Sequence, residues 1–481
     1  MKKSNLLMLC LAAQFTYTAK SIAQAKTEPK NQHFGTCVHF NQGWDYTKVL
    51  PLVQDLGVAW IRDDLNWRNV EKTKGVYVVP EKTMTWIKAA HQYGLKLILI
   101  LNRENKIYED SYDPDAYAAF CKAMAVQLKD DVDAFEILNE PANFGFRKQY
   151  GGTWNGLEPD GKSIGPWVGK YVTFINKAAE AIKSVNKKMK VIGLGSVPPV
   201  NFRQLAMGIS PSVDGIVDHP YSYRSVPEII SFPSSEAGLK RDGIATADTR
   251  GTLTSMVDMY RKQSEKYNGP KELWFTESGY PTFQPLSDKI LNAGITEGAQ
   301  ATYIQRRFIQ YLGMDIDVAL QYDLKNDGTD PHELEHNYGI VHADYTPKPA
   351  YYAYQRVAKS TIGLVHKNMV VNITPGPGRV DPYPMIWEGT KMPSPNDIPV
   401  YTFVNQKGQE VVTLWSAERA NNEFQPRVAD IEFKTEKKVS KITVMDMLTG
   451  VTSNVPFKAT EGGAMLKTYS VPDHVLMFTI D

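Results

Sequence analysis

From about residue 31 to residue 362, short apolar runs with strand character alternate with longer segments whose apolar residues recur at helical spacing. The candidate strands are residues 34–40, 59–63, 96–101, 134–139, 190–195, 215–219, 272–276 and 318–322. The clearest helical patterns cover residues 44–56, 80–93, 114–129, 167–186, 252–267 and 296–313. Eight strands alternating with helices predict an α/β fold, the closed (β/α)8 or TIM barrel. An open doubly wound sheet is the alternative, but the glycine-rich nucleotide-binding turn is missing after the first candidate strand.

The pattern changes after a last predicted helix that ends near residue 362. Short β-like runs follow at residues 400–405, 411–416, 428–433, 440–446 and 475–480, separated by turn residues such as Leu448-Thr449-Gly450. They predict a C-terminal all-β sandwich. Residues 374–379 and 392–399 are rich in proline or polar residues and are predicted as loops or linkers. The predicted division is therefore a barrel over residues 26–362 and a sandwich with its linker over residues 363–481.

The N-terminal residues 1–25 have the pattern of a secretory signal peptide. Lys2 and Lys3 precede a short apolar core at residues 6–13, and Ala23-Gln24-Ala25 fits a cleavage site. The apolar core is too short to span a membrane. We expect cleavage near Ala25 and export to the periplasm or the medium, with no transmembrane segment.

Composition narrows the function classes further. The formal net charge of the 481-residue chain is +1, and no basic run is long enough to indicate a nucleic-acid partner. Cys37 and Cys121 remain after signal cleavage and are expected to be buried free thiols. Because no Cys/His spacing resembles a zinc site, we expect no metal or other cofactor. The expected state is a monomer.

Two glutamates carry the main chemical signal. Glu140 follows the candidate strand 134–139, and Glu277 follows the candidate strand 272–276. A carboxylate at the tip of a buried strand is costly to desolvate, so two of them indicate a site that uses paired carboxylates. Glycoside hydrolysis needs such a pair, because one carboxyl donates a proton while the other attacks or activates water.

Other polar residues follow the candidate strands at the same end. Barrel enzymes place their sites at the C-terminal ends of the strands, where these side chains would converge. They are His39, Arg62, Asp63, Asn102, Asn139, His219, Tyr221, Tyr322 and Asp323. Together with the two glutamates they predict one site at the mouth of the barrel.

The two motifs Leu138-Asn139-Glu140-Pro141 and Phe275-Thr276-Glu277-Ser278-Gly279 resemble a large clan of retaining (β/α)8 glycoside hydrolases, clan A, whose catalytic glutamates follow strands 4 and 7. Within that clan the chain looks most like family 39-type enzymes and their exopolysaccharide-hydrolase relatives. The stretches that carry this finer likeness are Trp60-Ile61-Arg62, His219-Pro220-Tyr221, Tyr322-Asp323-Leu324 and Lys348-Pro349-Ala350-Tyr351.

The resemblance implies a role for each residue of the site. Glu140 would be the general acid/base and Glu277 the nucleophile. Asn139 would bind the sugar 2-hydroxyl, and Arg62 would keep the nucleophile ionised. The resemblance also places His219 and Tyr221 around the nucleophile, while His39, Asn102 and Tyr322 are weaker candidates for binding substrate or supporting the site.

Two further expectations concern the carboxylates. The resemblance implies a carboxyl separation of about 5–5.5 Å, as retaining enzymes have. Burial and the charge of Glu277 are expected to raise the pKa of Glu140, so that it holds its proton near neutrality. Glu136 faces the same side of its strand as Glu140 but lies deeper, and is expected to be structural, with Arg62 as its candidate ion-pair partner.

The chain departs from the clan at strand 8, where many members carry a tryptophan platform for the sugar and this chain has Tyr322. Aromatic rings stack on the apolar faces of pyranoses, so other rings could line subsites. The candidates are Trp67, Phe144, Phe146, Trp154, Tyr223 and Phe283.

The sequence therefore predicts a retaining β-glycoside hydrolase that cleaves a β-linked poly- or oligosaccharide, with internal cleavage favoured. Exo-cleavage or transglycosylation at the same site remains open. Two other classes also remain open: a non-catalytic glycan-binding protein, and a metal-dependent hydrolase using His219 and Asp323.

Overall fold

The computed structural model describes residues 28–287, 292, 294–376, 397–420 and 424–481. The predicted signal peptide, residues 1–25, lies outside the described residues, as do residues 377–379 of the first predicted linker and residues 392–396 of the second. In the described part of the chain, no helix has both the length and the apolar character needed to cross a membrane.

The N-terminal part is a closed barrel of parallel strands. The strands are β1 (Asn31–Cys37), β2 (Val58–Asn66), β3 (Lys96–Asn102), β4 (Ala134–Ile137), β5 (Lys190–Ser196), β6 (Gly215–Asp218), β7 (Glu272–Phe275) and β8 (Val318–Gln321). The barrel closes where β1 pairs with β8, with Phe34 opposite Ala319. The predicted fold class is confirmed, and the open-sheet alternative is wrong because the first and last strands hydrogen-bond to each other.

Helices cover the outside of the barrel. They are α1 (Tyr46–Leu56), α2 (Trp67–Val70), α3 (Glu81–Gln92), α4 (Pro114–Gln127), α5 (Gly145–Tyr150), α6 (Pro166–Val185), α7 (Pro198–Met207), α8 (Glu236–Asp242), α9 (Leu253–Asn268), α10 (Glu297–Gly313) and α11 (Pro349–Ser360). The start of α4 shows local control by sequence. Asp113 accepts hydrogen bonds from the backbone N–H groups of Asp115 (2.9 Å) and Ala116 (2.8 Å), and Pro114 stands in the first turn.

Apolar and polar side chains follow one another along the barrel interior. Trp60 and Trp274 pack edge to face, with ring centroids 5.2 Å apart. Side chains on a strand repeat their direction every second residue, so Arg62 follows Trp60 on the inner face of β2. The tryptophans therefore form an apolar floor, and charged groups lie nearer the C-terminal mouth.

The C-terminal part consists of two antiparallel sheets. One has the order β10 (Val371–Pro375), β13 (Arg427–Lys434), β17 (Gly463–Val471), β16 (Lys458–Thr460). The other has the order β15 (Thr452–Asn454), β14 (Ile442–Asp446), β18 (Leu476–Ile480), β12 (Glu410–Leu414), β11 (Val400–Val404), β9 (Val365–His366). Phe433 of the first sheet and Phe478 of the second contact each other across the shared core, at 5.5 Å between ring centroids.

The prediction of a loop beginning at residue 374 is wrong at its start. Thr374 and Pro375 belong to β10 and pair with Asp430 and Ala429 of β13. Pro375 misled the sequence reading, because proline is unfavourable inside a sheet. It is tolerated here because β10 is an edge strand.

A buried ion pair joins the barrel to the C-terminal domain. Arg306 of α10 donates to both carboxylate oxygens of Glu228, at 2.9 and 2.5 Å. Trp415 donates its indole N–H to the same carboxylate at 2.7 Å, and Arg306 also donates to the backbone oxygen of Glu418 at 2.7 Å. Arg306 and Trp415 are fully buried. The two parts of the chain therefore share a satisfied polar network and pack as one body.

Substituting Arg306→Met should destabilise the protein by about 3–5 kcal/mol, because the Glu228 carboxylate would stay buried without its cation. Thermal and denaturant unfolding would measure the loss. Lys177→Met is the control, since it breaks the solvent-exposed Lys177–Asp115 pair and should change stability little. A midpoint for Arg306→Met equal to that of the wild type would contradict the assigned role of the pair.

Candidate active site

A cavity of about 460 Å³ opens at the C-terminal ends of the barrel strands. All of the predicted site residues except His219 and Asp323 line it: His39, Arg62, Asp63, Asn102, Asn139, Glu140, Tyr221, Glu277 and Tyr322. Asp323 is fully buried, with a carboxylate oxygen 3.9 Å from Nδ1 of His39. His219 is 4 % exposed and lies behind the carboxylates. The structure thus brings every predicted site residue together, although the strands that carry them are far apart in sequence.

The backbone after β4 is bent to present Glu140. Leu138 has φ 60° and Glu140 has φ 43°, both in the left-handed region that non-glycine residues seldom adopt. Such conformations persist only where the surrounding structure enforces them, and they are frequent at functional sites. Here they direct the Glu140 side chain into the cavity.

Arg62 connects three other residues of the site through hydrogen bonds. Its Nη1 donates to Oε1 of Glu277 at 2.7 Å. Its Nε and Nη2 donate to the two carboxylate oxygens of Glu136 at 2.7 and 2.8 Å, and Nη2 also donates to Oδ1 of Asn139 at 2.8 Å. Arg62 is 3 % exposed and Glu136 is fully buried. The guanidinium therefore links three strands, and Glu136 lies beneath the cavity as its ion-pair partner.

The two cavity carboxylates have different partners. Glu277 accepts from Arg62 and from the hydroxyl of Tyr221 at 3.0 Å. Glu140 is hydrogen-bonded to Nδ1 of His219 at 2.8 Å and accepts from the side-chain amide of Asn143 at 3.1 Å. Nδ1 of His219 also lies 3.4 Å from Glu277, and its Nε2 lies 3.0 Å from the Thr276 hydroxyl.

One oxygen of Glu140, one oxygen of Glu277 and one nitrogen of His219 all lie within 4.8 Å of one another. A water molecule between two inverting carboxylates requires a separation of about 6.5–9.5 Å, whereas direct attack by one carboxylate requires about 5–5.5 Å. The nearest oxygens of the two carboxylates therefore lie close enough to be compatible with the direct-attack arrangement.

The expected raised pKa of Glu140 is wrong for this site. Burial alone would raise it, but the hydrogen bond and positive charge of His219 outweigh burial and lower the pKa of Glu140. Burial likewise opposes charge on His219, but Glu277 and Glu140 raise its pKa above the ordinary histidine value. Both shifts favour a proton on His219, one hydrogen bond away, over the proton that the sequence placed on Glu140.

His39 and Asn102 also form part of the site. His39 lies 3.0 Å from the Asp327 carboxylate, which also accepts from the indole of Trp44 at 2.8 Å. Burial disfavours the imidazolium, but Asp327 raises the pKa of His39 to about 9. Asn102 accepts from the backbone N–H of Asn139 at 3.2 Å and thereby fixes the strand end that precedes Glu140.

Tyr322 directly follows β8 and lines the cavity. Its hydroxyl donates to Glu335 at 3.1 Å. Its ring lies 5.3 Å from that of Tyr338 and 6.3 Å from that of Tyr221. These contacts fix the Tyr322 ring at the cavity wall.

The structure adds residues that sequence reasoning missed as members of the site. Asn143 holds Glu140, Asp327 holds His39, and Glu335 holds Tyr322. They come from loops, so no strand pattern indicated them. For Asn143 a signal existed, because it follows Glu140 by one tight turn.

The candidate aromatic rings separate into two groups. Phe144 and Tyr223 line the cavity. Trp67, Phe146 and Phe283 are buried and do not line it, and Trp154 packs against Phe232 with ring centroids 5.9 Å apart. Position after a strand end therefore did not distinguish rings that face the cavity from rings that fill the core.

The residues of the metal-dependent alternative do not come together. Within the described ranges, His219 groups with Glu140 and Glu277, whereas Asp323 groups with His39 and Asp327. The structure therefore places the two proposed ligands in different clusters.

The fold is shared with known glycoside hydrolases of clan A. A family 39 glycoside hydrolase from the gut symbiont Bacteroides cellulosilyticus superposes with a TM-score of 0.66 and 20 % identity, covering 95 % of this chain and 82 % of that one. A glucosidase from Croceicoccus marinus gives 0.55 and 13 %, covering 95 % and 97 %. A family 30 subfamily 8 xylanase from Clostridium acetobutylicum gives 0.53 and 13 %, covering 94 % and 96 %.

No protein-family model and no curated protein matches the sequence. At these identities the structural likenesses show a common fold.

The protonation of the site can be tested without substrate. We expect the imidazole of His219 to remain protonated above pH 6.5, the ordinary histidine pKa, because two carboxylates face it. Glu140→Gln removes one of them, so the imidazole should lose its proton at lower pH than in the wild type. A pH titration followed by ¹H–¹⁵N NMR would measure both. Glu265→Gln on the exposed face of α9 is the control, and a His219 that titrates below pH 6.5 in the wild type would contradict the assignment.

Proposed function

We propose that the protein is a retaining β-glycoside hydrolase in which Glu140 is the acid/base and Glu277 is the nucleophile. The observation that carries the proposal is the pair of carboxylates with oxygens within 4.8 Å of each other, each in a different hydrogen-bonding environment. Arg62 and Tyr221 donate hydrogen bonds to Glu277, while Glu140 is hydrogen-bonded to the imidazole of His219.

In the first step, an oxygen of Glu277 attacks the anomeric carbon while the bond to the leaving-group oxygen breaks. The leaving oxygen takes a proton from Glu140. We place that proton on His219 in the free site, because the two carboxylates raise the pKa of the imidazole, and transfer along the 2.8 Å hydrogen bond would supply it to Glu140. Substrate that displaces water from the cavity favours the neutral pair, because a charge pair is costlier to bury.

In the second step, Glu140 accepts a proton from water as that water attacks the glycosyl ester of Glu277. Glu277 carries no charge in the ester. His219 then faces one carboxylate instead of two and holds a proton less strongly than in the free site. Asn139, whose oxygen is held by Arg62, is proposed to bind the sugar 2-hydroxyl, where hydrogen bonds strengthen as the oxocarbenium-like transition state forms.

The proposed substrate is a β-linked poly- or oligosaccharide outside the cytoplasm, cleaved internally. Support comes from the predicted signal peptide and from structural neighbours described as xylanase and endoxylanase. We also propose that the enzyme acts as a monomer. Cleavage from chain ends or transfer to an acceptor sugar would use the same two glutamates, and product analysis distinguishes these outcomes.

Glu277→Gln should lower turnover by several orders of magnitude while leaving polysaccharide binding, because the amide cannot form the glycosyl ester. The assay is a panel of β-glucan, xylan, mannan and galactan, with product sizing by chromatography and binding measured by calorimetry. Full activity of Glu277→Gln would refute the assignment.

Glu265→Gln, on the exposed face of α9, is the matched control and should keep wild-type activity. For a substrate that is cleaved, ¹H NMR of the first product should show the β-anomer. Initial release of the α-anomer would exclude the retaining mechanism. Binding without released sugar across the panel would instead support a non-catalytic glycan-binding protein.

A further inference from the structure

Phe144 is the one exposed ring among the phenylalanine and tryptophan side chains in the described residues. It is 40 % exposed, whereas the other rings of these two types are buried or partly buried. It also lines the cavity that holds the two carboxylates. A single exposed ring is normal by itself, but aromatic rings that line a cavity with a few polar groups are typical of ligand-binding sites.

The position of the ring relative to Glu140 is fixed by the chain. The backbone N–H of Phe144 donates to the backbone oxygen of Glu140 at 3.1 Å, and Asn143 between them bonds the Glu140 carboxylate. Two residues later, Phe146 is buried and contacts the ring of Tyr112 at 5.0 Å. Phe146 anchors α5 in the core, and Phe144 at the start of this helix is left facing the cavity.

The guanidinium of Arg103 lies over the ring of Phe144. Its guanidinium carbon is 5.5 Å from the Phe144 ring centroid, and Arg103 also lines the cavity. The backbone of Arg103 has φ 70°, and its N–H donates to the Asn102 side chain at 2.9 Å. A guanidinium over an aromatic ring combines an apolar surface with hydrogen-bond donors, which together match the C–H groups and the hydroxyl groups of a pyranose.

We propose that Phe144 and Arg103 form the subsite for the sugar unit on the leaving-group side of the cleaved bond. This inference rests on the proposed function, because Glu140 protonates the oxygen that belongs to the leaving group. The sugar attached to that oxygen must therefore lie next to Glu140, and Phe144 is on the same short segment. The sugar on the other side of the cleaved bond, the glycone, lies toward Glu277 and Arg62, which are joined by a hydrogen bond of 2.7 Å.

The two steps of the reaction separate this subsite from the glycone subsite. 2-Deoxy-2-fluoro-β-glycosyl fluorides of gluco, galacto, manno and xylo configuration form the ester with Glu277 and release fluoride, which has no ring to contact Phe144. The trapped ester then reacts with water or with an acceptor sugar, whose hydroxyl attacks the anomeric carbon while Glu140 takes the proton. The matching β-linked disaccharide, such as cellobiose for the gluco reagent, serves as acceptor.

Phe144→Ala should be labelled at the wild-type rate and reactivate in water at the wild-type rate. Its acceptor affinity should fall about tenfold, the equivalent of about 1.4 kcal/mol. Intact-mass spectrometry follows both steps. Phe144→Trp should restore acceptor binding, and Tyr267→Ala, which removes an exposed ring on α9, should behave as the wild type.

Three results would overturn the inference. Acceptor-dependent reactivation of Phe144→Ala equal to that of the wild type would remove the ring from the subsite. A loss confined to the labelling step would place the ring on the glycone side. Wild-type enzyme that is labelled but never accelerated by a disaccharide would have no such subsite. Failure of every reagent to label Glu277 would instead refute the proposed function, and this inference with it.

Discussion

The site depends on how the Arg62 guanidinium is satisfied inside the barrel. A buried cation is tolerated only when its donors have partners, and Arg62 gives its N–H groups to Glu136, Glu277 and Asn139. Glu136 lies deepest of these three partners and accepts two of the hydrogen bonds. Because a fork of donors has fixed geometry, the carboxylate of Glu277 and the amide of Asn139 are held in register across three strands. An apolar replacement for Glu136 would leave the guanidinium with one carboxylate partner in place of two.

Residue identity alone did not reveal which side chain of the site carries a proton. Two carboxylates in one cavity favour keeping a proton nearby, and the sequence assigned it to Glu140. His219 lies 2.8 Å from one carboxylate and 3.4 Å from the other, so the imidazole gains from both charges at once. Side-chain proximity across β4, β6 and β7 decides this balance. No motif within one strand encodes it.

The sequence predicted the barrel strands closely because parallel strands buried on both faces read as continuous apolar runs. It also predicted which residues converge, since the C-terminal ends of all eight strands meet at one mouth. Loop contributions such as Asn143, Asp327 and Glu335 were missed because loops carry no periodicity. The helix α7 is not among the clearest helical patterns of the sequence, and it begins with Pro198 and Pro199, which are favourable in a first helical turn.

The C-terminal domain contacts the helix that supports one side of the site. Arg306 lies on α10, which packs between the barrel and the second sheet, and its partner Glu228 lies on the loop that follows β6. The neighbouring Arg307 donates to the backbone oxygen of Pro220 at 3.1 Å, in the segment that joins His219 to Tyr221. One face of α10 therefore meets the sandwich, and the next residue along the helix holds the strand end behind the carboxylates. The sandwich therefore contacts the helix that positions His219 and Tyr221, and none of the sandwich residues that the structure describes lines the cavity.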